Sequence, residues 1–280
     1  MLNRFGLHLP QGGHASGPES IARVASLAES LGFDDLWVSD HIVVPSTQNY
    51  PTPYMYDPLL TLTYAAAMTS RIGLGTAVLV LPQYHPVQLA NSLASLDALS
   101  AGRLRLGVGV GWSAAEFEAL DQRFTDRGRR TDEIIDLLRT AWKDDPVDFA
   151  GEFYSLRSIR LLPKPAHTIP IWVGGRSEAA IRRAARLGDG YQALGLSVEQ
   201  AHDVVARVRE DRPDEGFTIS LRTGWDAVAM DHDLIRSELD GFSAAGIQHL
   251  VATPWQRDID SFCAAVEQLA EILHLADRTE

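Results

Sequence analysis

The segment Phe33-Asp34-Asp35-Leu36-Trp37-Val38-Ser39-Asp40-His41 places an ionisable pair directly after a short apolar run. Such a run, bounded by polar residues, is typical of a buried strand in a parallel sheet. Functional side chains of parallel α/β proteins commonly lie just beyond the carboxyl ends of the strands. Asp40 and His41 are therefore the first candidates for a catalytic site.

Similar apolar runs recur along the chain and alternate with helical stretches, at intervals of roughly 30 residues. The candidate strands are Phe5–Leu9, Asp35–Ser39, Ile72–Leu79, Leu104–Val110, Ile169–Val173, Gly190–Leu194, Thr218–Arg222 and Gln248–Thr253. Proline, serine and glycine mark the ends of predicted helices that begin near Pro18, Pro86 and Glu178. Eight strands with crossover helices predict a closed (β/α)8 barrel rather than an open doubly wound sheet.

The length of 280 residues fits one domain over residues 1–280, although two small domains would also fit. No apolar run reaches the roughly 20 residues of a membrane helix. A net charge of -12 argues against nucleic acid or an anionic membrane surface as a partner. The first residues lack a signal-peptide pattern, so we expect the protein to stay in the cytoplasm.

The lone cysteine, Cys263, falls in a predicted amphipathic helix, and we expect a packed, unreactive thiol. The sequence contains no H-x-x-x-H or C-x-x-C motif, no carboxylate cluster at metal-ligand spacing and no G-x-S-x-G elbow. We therefore expect neither a metal site nor serine-hydrolase chemistry.

Two stretches are longer than the connections of a minimal barrel. The first, Ile42–Asp57, follows the second strand and carries Tyr50, Tyr54 and Tyr56. It is expected to form a wall of a substrate pocket, or alternatively to pack its tyrosines on the barrel. The second, Trp142–Pro170, follows the fourth strand and its helix. Within it, Gly151-Glu152-Phe153-Tyr154-Ser155-Leu156 is predicted to be an extra hairpin strand.

Glycines cluster near several predicted strand ends. Leu104–Trp112 contains G-x-G-x-G rather than the G-x-G-x-x-G of dinucleotide-binding folds. Gly109 and Gly111 are expected to thin the strand end where a flat ring approaches, unless packing alone requires them. In Gly174-Gly175-Arg176-Ser177, exposed amides before a helix could bind a phosphate. Ser177 could instead be only a helix cap, and Arg176 a solvated charge.

Taken in order, several motifs resemble the bacterial luciferase-like monooxygenase superfamily, and within it the branch that uses the deazaflavin coenzyme F420. The resemblance covers nearly the whole chain. Its most specific pieces are Trp37–His41, Gly73–Leu79, Gly107–Trp112 with Glu116-Phe117, Arg127–Glu133 and Val173–Gly175. It implies a TIM barrel with insertions after strands two and four, in a chain that forms a homodimer. It also implies that the deazaflavin ring lies at the carboxyl ends of the strands.

The resemblance further implies roles for individual residues. Ala77-Val78 matches a non-prolyl cis peptide that bulges against the ring, so Thr76, Ala77 and Val78 are expected at the cofactor. The residue matching Asp40 lies beside the ring in this branch, and the one matching His41 lies near the hydride-bearing carbon. His41 is thus the predicted catalytic acid or base. The alternative is that Asp40 caps a loop and His41 packs beneath it.

The Asp-His pair favours F420 over FMN, since flavin-using relatives often have Glu-His there. The predicted function is F420-dependent hydride transfer with a small organic substrate. An FMN-dependent monooxygenase and a non-catalytic flavin-binding protein are the alternatives. Sugar-phosphate dehydrogenases of this branch have a Glu where this chain has Trp112, and lysine occurs only at Lys143 and Lys164. Trp112 and the three loop tyrosines therefore favour a less polar substrate.

Overall fold

The computed structural model describes residues 2–48 and 50–278, and in this part of the chain eight parallel strands close into a barrel. These strands are β1 (Arg4–His8), β2 (Asp35–Val38), β3 (Gly73–Thr76), β5 (Leu104–Gly109), β8 (Ile171–Gly174), β9 (Gly190–Leu194), β10 (Thr218–Thr223) and β11 (His249–Ala252). β1 pairs with β11 and β3 pairs with β5, which completes the ring of strands. The predicted (β/α)8 barrel is confirmed.

Helices connect the strands around the outside of the barrel. They are α1 (Pro18–Ser30), α2 (Pro58–Met68), α3 (Pro86–Leu99), α4 (Ala114–Ala119), α5 (Arg127–Lys143), α6 (Glu178–Leu187), α7 (Val198–Asp211), α8 (His232–Ala245) and α9 (Ile259–Ile272). Proline begins α1, α2 and α3, where its missing N–H costs no intrahelical hydrogen bond. The helices predicted at Pro18, Pro86 and Glu178 are confirmed.

The segment from β1 through α9 contains no helix that is both long and apolar enough to cross a membrane, as far as the described residues extend.

The third barrel strand, predicted as one run over Ile72–Leu79, is interrupted. β3 ends at Thr76, the Ala77–Val78 peptide bond is cis as the family resemblance implies, and β4 (Leu79–Val80) continues the strand. Gly75 lies opposite Arg105 but Leu79 lies opposite Val108, so four steps along this strand match three along β5. The extra residue is a β-bulge at the carboxyl end of the strand.

The first long connection, 42–57, runs from β2 to α2 and is joined to the loop after β1. The Gly13 N–H donates to the Tyr54 carbonyl at 2.9 Å, and the Tyr56 N–H donates to the Gln11 carbonyl at 3.2 Å. The loop therefore lies over the carboxyl ends of the strands. We call those strand ends, with the loops that follow them, the barrel mouth.

The second long connection contains the hairpin of β6 (Val147–Ala150) and β7 (Ser155–Ile159), between α5 and β8. The predicted strand over Gly151–Leu156 is wrong, because residues 151–154 form the turn. The cause is Glu133 on α5, whose carboxylate accepts the backbone N–H groups of residues 152, 153 and 154. This long-range contact fixes the turn, so that the second strand of the hairpin begins at Ser155, later in the sequence than predicted.

Two stacked indoles fill much of the barrel interior. The rings of Trp37 and Trp172 lie 5.4 Å apart between centroids. A Cβ at Gly75 would lie 2.5 Å from the Trp37 ring, so this strand glycine makes room for a side chain from β2. The group that closely approaches this glycine is therefore the protein's own indole.

A polar cluster lies below the indoles, near the amino ends of the strands. The Asp35 carboxylate accepts from the Trp37 indole N–H and pairs with the His249 ring at 2.9 Å, and Ser220 Oγ lies 2.7 Å from His249 Nδ1. Burial alone would raise the pKa of Asp35, but His249 and two arginines outweigh it and hold the pKa well below its usual range. All three side chains are fully buried, so this serine-histidine-aspartate series is structural rather than hydrolytic.

Candidate active site at the barrel mouth

The barrel mouth brings the predicted site residues to one end of the molecule. Each lies at the last position of a barrel strand or in the loop that follows it. They are Asp40 and His41 after β2; Tyr50, Tyr54 and Tyr56 in the same loop; Thr76, Ala77 and Val78 at the bulge; Gly109, Gly111 and Trp112 at the end of β5; and Gly174, Gly175, Arg176 and Ser177 at the end of β8. Their assigned roles in catalysis or binding stay predictions.

His41 is held by a carboxylate whose role the sequence did not predict. Its Nδ1 lies 3.2 Å and 3.3 Å from the two carboxylate oxygens of Glu116 on α4. The Ile42 N–H donates to Glu116 Oε1 at 3.1 Å, and the Glu116 side chain is only 2% exposed. A carboxylate accepts hydrogen bonds, so His41 carries its proton on Nδ1 and leaves Nε2 as the basic nitrogen. This is the arrangement of an oriented general base.

Glu116 belongs to one of the motifs that carry the family resemblance, yet nothing in the sequence connects it with His41. The two residues are 75 positions apart. Ser113 caps α4 by accepting the Glu116 N–H, and this cap sets the direction in which the Glu116 side chain leaves the helix. The sequence signal that could have drawn attention to Glu116 is the capping serine, because it places the glutamate in the first turn of α4.

Several aromatic side chains lie at the barrel mouth. The Trp112 indole contacts the His41 ring edge-on at 5.7 Å between centroids and is 57% exposed. Tyr54 and Tyr56 contact each other edge-on at 5.6 Å, with their hydroxyl oxygens 2.9 Å apart. Tyr50 is the most exposed of the three tyrosines. These rings form an apolar rim that suits the body of a small organic molecule.

Asp40 points away from the open part of the mouth. Its carboxylate accepts the Val80 N–H at 2.8 Å and the Tyr84 hydroxyl at 2.9 Å, and its side chain is buried. Burial raises the pKa of Asp40 to about 7, against these two hydrogen bonds, which lower it. Both oxygens are thus engaged by the segment that follows the cis bond. The structure shows Asp40 fastening the bulge to β2.

The glycines at the ends of β5 and β8 make room for Val78. A Cβ at Gly109 would lie 2.5 Å from one Val78 methyl group, and a Cβ at Gly174 would lie 2.5 Å from the other. Within residues 72–80, Val78 is the only partly exposed residue, whereas Thr76 is buried and donates its hydroxyl to the Gly107 carbonyl at 2.7 Å. The bulge therefore presents a valine surface to the mouth, flanked by strand ends without side chains.

The remaining predicted cofactor residues form two turns. Gly111 has a φ of 78° and Gly175 a φ of 138°, conformations that favour glycine. Arg176 donates from Nε and Nη2 to the Leu194 carbonyl at 2.9 Å and 2.6 Å. Ser177 caps α6 by accepting the Ala180 N–H at 3.2 Å. The capping role considered from the sequence is confirmed, and α6 begins shortly after the end of β8, next to Arg176.

The floor of the mouth is a chain of polar groups centred on Arg222 of β10. Its Nη1 donates to the Ser39 hydroxyl at 2.7 Å and to the Ala77 carbonyl at 3.0 Å. Ser39 Oγ in turn lies 2.9 Å from His8 Nε2, while His8 Nδ1 lies 2.9 Å from the Leu9 carbonyl. A carbonyl only accepts, so Nδ1 carries the His8 proton and Ser39 donates to Nε2. The sequence singled out neither Ser39 nor Arg222.

Comparison with known proteins agrees with this architecture. Residues 2–278 match the profile of the family described as luciferase-like monooxygenase. An uncharacterised protein of Mycobacterium tuberculosis is 32% identical over 81% of this chain and 79% of its own length. An F420-dependent glucose-6-phosphate dehydrogenase of Kineococcus radiotolerans is 32% identical over 68% of this chain and 58% of its own length.

Two solved structures share the fold. The monooxygenase RslO1 of Streptomyces bottropensis superposes with a TM-score of 0.83 at 22% identity, covering 97% of this chain and 98% of that one. An F420-dependent secondary alcohol dehydrogenase, solved with an F420-acetone adduct, gives 0.82 at 17% identity, covering 98% and 99%. From the profile match over nearly all of its length, the chain belongs to the luciferase-like monooxygenase family.

Proposed function

We propose that the protein is an F420-dependent oxidoreductase that exchanges hydride between the deazaflavin and a small organic substrate. The observation that carries this proposal is the His41–Glu116 pair beside the valine-capped bulge. At this place an acid or base oriented by a hydrogen bond lies next to an apolar surface. Both are at the carboxyl ends of the strands, where barrels of this type carry their active sites. A relative named for F420, 32% identical to this chain, supports the choice of cofactor.

The residues of the mouth fit a flat aromatic ring. Val78 offers an apolar face, and Gly109 and Gly174 beside it carry no side chains. Neither bulge residue is charged, and the Asp40 carboxylate below is already satisfied by two donors. Ala77, Val78 and the neighbouring glycines would hold the ring. The amides at the start of α6 and the Arg176 guanidinium would receive its phosphate.

A bound deazaflavin supplies a carbon that accepts or donates hydride. The chain supplies the proton movement, and His41 Nε2 is the atom placed for it because Glu116 fixes the proton on Nδ1. In substrate oxidation, Nε2 takes a hydroxyl proton, and in reduction the imidazolium returns it. Trp112 and the loop tyrosines keep water from the apolar part of the substrate.

We also propose that the protein is a homodimer whose contact is the face of α2 and α3. Leu60, Tyr64 and Met68 are exposed at successive turns of α2, which contains no charged residue. The one charged residue of α3, Asp97, is buried. An uncharged face on a chain with net charge -12 is suited to a second copy of itself.

Titration of the purified protein with F420 and with FMN, followed by tryptophan fluorescence, tests the cofactor. F420 is expected to quench the exposed Trp112, and the Trp112→Phe variant identifies that part of the signal. Tight FMN binding without an F420 response would overturn the proposal. FMN-dependent oxygen consumption in the presence of a flavin reductase would then identify a monooxygenase.

A further inference from the structure

Arg222 is a cation at the floor of the mouth, and the described residues provide no counter-ion for it. Its Nε donates to the Thr253 hydroxyl at 3.2 Å, and Nη1 donates to Ser39 and to the Ala77 carbonyl. All three acceptors are neutral. Among residues 2–48 and 50–278, no carboxylate lies within ion-pairing distance of Arg222, and no hydrogen bond uses its Nη2.

Two other arginines of the barrel, in contrast to Arg222, share a carboxylate as their counter-ion. Arg4 and Arg105 both reach the Asp35 carboxylate, at 3.2 Å and 3.3 Å. Burial without such a partner lowers the pKa of Arg222 to about 10, so it keeps its charge at neutral pH. The same charge, with burial as the larger cause, keeps the pKa of His8 well below its usual value. An unpaired charge in this position is unfavourable until an anion arrives.

The acidic groups around the mouth do not supply that anion. Glu116 is occupied by His41 and the Ile42 N–H, and the buried Asp40 is occupied by Val80 and Tyr84. Besides burial, which lowers the pKa of Arg222, the group that affects this pKa is the Tyr50 hydroxyl on the loop above, which raises it. The mouth thus combines an apolar rim, one directed histidine and one uncompensated guanidinium.

We infer that the free Nη2 of Arg222 binds an anionic oxygen of the substrate, so that the substrate is a carboxylate or a phosphate ester with an apolar body. This inference deepens the proposed function, since it names the class of molecule that reaches His41. Nη1 and Nε are fixed by three different strand ends, so the free nitrogen is held in place before the ligand arrives. Trp112 and the tyrosines contact the body of the same molecule.

The test uses the cofactor-free protein and three probes: benzoate, inorganic phosphate and the neutral benzyl alcohol. Isothermal titration calorimetry with the wild type should show binding of at least one anion, and tighter binding of benzoate than of benzyl alcohol if the carboxylate is the source. Arg222→Gln should weaken that anion about 10- to 100-fold. Arg222→Lys should retain part of the affinity, because it keeps a point charge but loses the fork.

Arg176→Gln is the matched control, because Arg176 is the other guanidinium at the mouth and also donates only to carbonyl groups. Because Arg176 belongs to the proposed phosphate site of the cofactor, phosphate is titrated in the Arg176→Gln background. Benzoate binding that is lost in Arg176→Gln but kept in Arg222→Gln would overturn the inference. So would a wild type that binds neither anion, or equal binding of benzoate and benzyl alcohol without any phosphate binding.

If Arg222→Gln does not fold, the side-chain Nε–H resonance of Arg222 in the wild type, assigned with Arg222→Lys, replaces it. That resonance should move with anion concentration, and a fixed resonance counts against the inference. None of these anion titrations contains F420, so their result is independent of the fluorescence titration with F420. Anion binding in a protein that does not bind F420 would refute the proposed cofactor alone. F420 binding in a protein that binds no anion would refute the Arg222 assignment alone.

Discussion

Replacing Glu116 with glutamine tests the proposed acid-base pair most directly. The substitution keeps the size of the side chain and removes its charge. Glutamine Oε1 can still accept the Ile42 N–H, which Glu116 accepts at 3.1 Å. Its NH2 group then replaces Oε2, which lies 3.3 Å from His41 Nδ1 in the wild type. This NH2 group can donate only to an unprotonated Nδ1, and an amide oxygen accepts less strongly than a carboxylate, so the His41 tautomer with its proton on Nε2 is favoured.

The expected loss follows from this change of tautomer. With its proton on Nε2, His41 has no basic nitrogen facing the substrate, and the imidazolium loses its neighbouring charge. A positioned general base contributes roughly 10²- to 10⁴-fold to a rate, and losing the correct tautomer removes a comparable factor. We therefore expect kcat to fall by about 10²- to 10⁴-fold, with substrate affinity little changed.

The assay has two parts. Long-range proton–nitrogen spectra of the histidine rings report the tautomer without any substrate, and His41 should change from Nδ1–H to Nε2–H in Glu116→Gln. F420 reduction with a panel of alcohols reports turnover. Glu118→Gln is the matched control, because Glu118 is exposed on the same short helix. An unchanged His41 tautomer, or full turnover in Glu116→Gln, would refute the reasoning.

Three further outcomes are expected. Because folded Asp40 keeps its proton up to a pKa of about 7, whereas an unfolded carboxyl loses it near pH 4, the free energy of unfolding should fall by up to about 4 kcal/mol as pH rises from 4 to 7. Asp40→Asn should lack this loss in urea unfolding, and parallel pH curves would contradict it. Gly109→Ala should cost about 1–3 kcal/mol in unfolding free energy through its clash with Val78, and Val78→Ala in the same chain should recover part of that; a purely additive pair would count against the contact. Leu60→Glu on α2 should convert the dimer to a monomer in sedimentation velocity, whereas Leu234→Glu on α8, also at an exposed leucine, should not; a dimer in both variants would move the interface elsewhere.

Most of the architecture could be predicted from local sequence. The alternation of apolar runs with helices predicts eight strands, because a strand buried on both faces must be apolar along its length. Proline and glycine predict the helix ends, because both act on the backbone of their own turn. The hairpin over 147–159 was placed wrongly, since Glu133 fixes its turn from another element.

Residues of the candidate site could be predicted only where the sequence around a single strand end is itself unusual. Asp40-His41 is visible because two ionisable residues follow an apolar run, and the bulge at Ala77-Val78 follows from the family resemblance. Glu116 lies 75 residues from His41, and Arg222 lies 183 residues from Ser39. No feature of the sequence near these residues indicates that they are in contact.

The sequence by itself therefore determined the barrel and the end of it at which the candidate site lies. The tertiary structure decided which groups act together: Glu116 with His41, Arg222 with the carbonyl of the cis bond, and Asp40 with the segment beyond it. The physical reason is closure. A ring of parallel strands brings eight distant strand ends to one mouth, and only there do hydrogen bonds and charges find their partners.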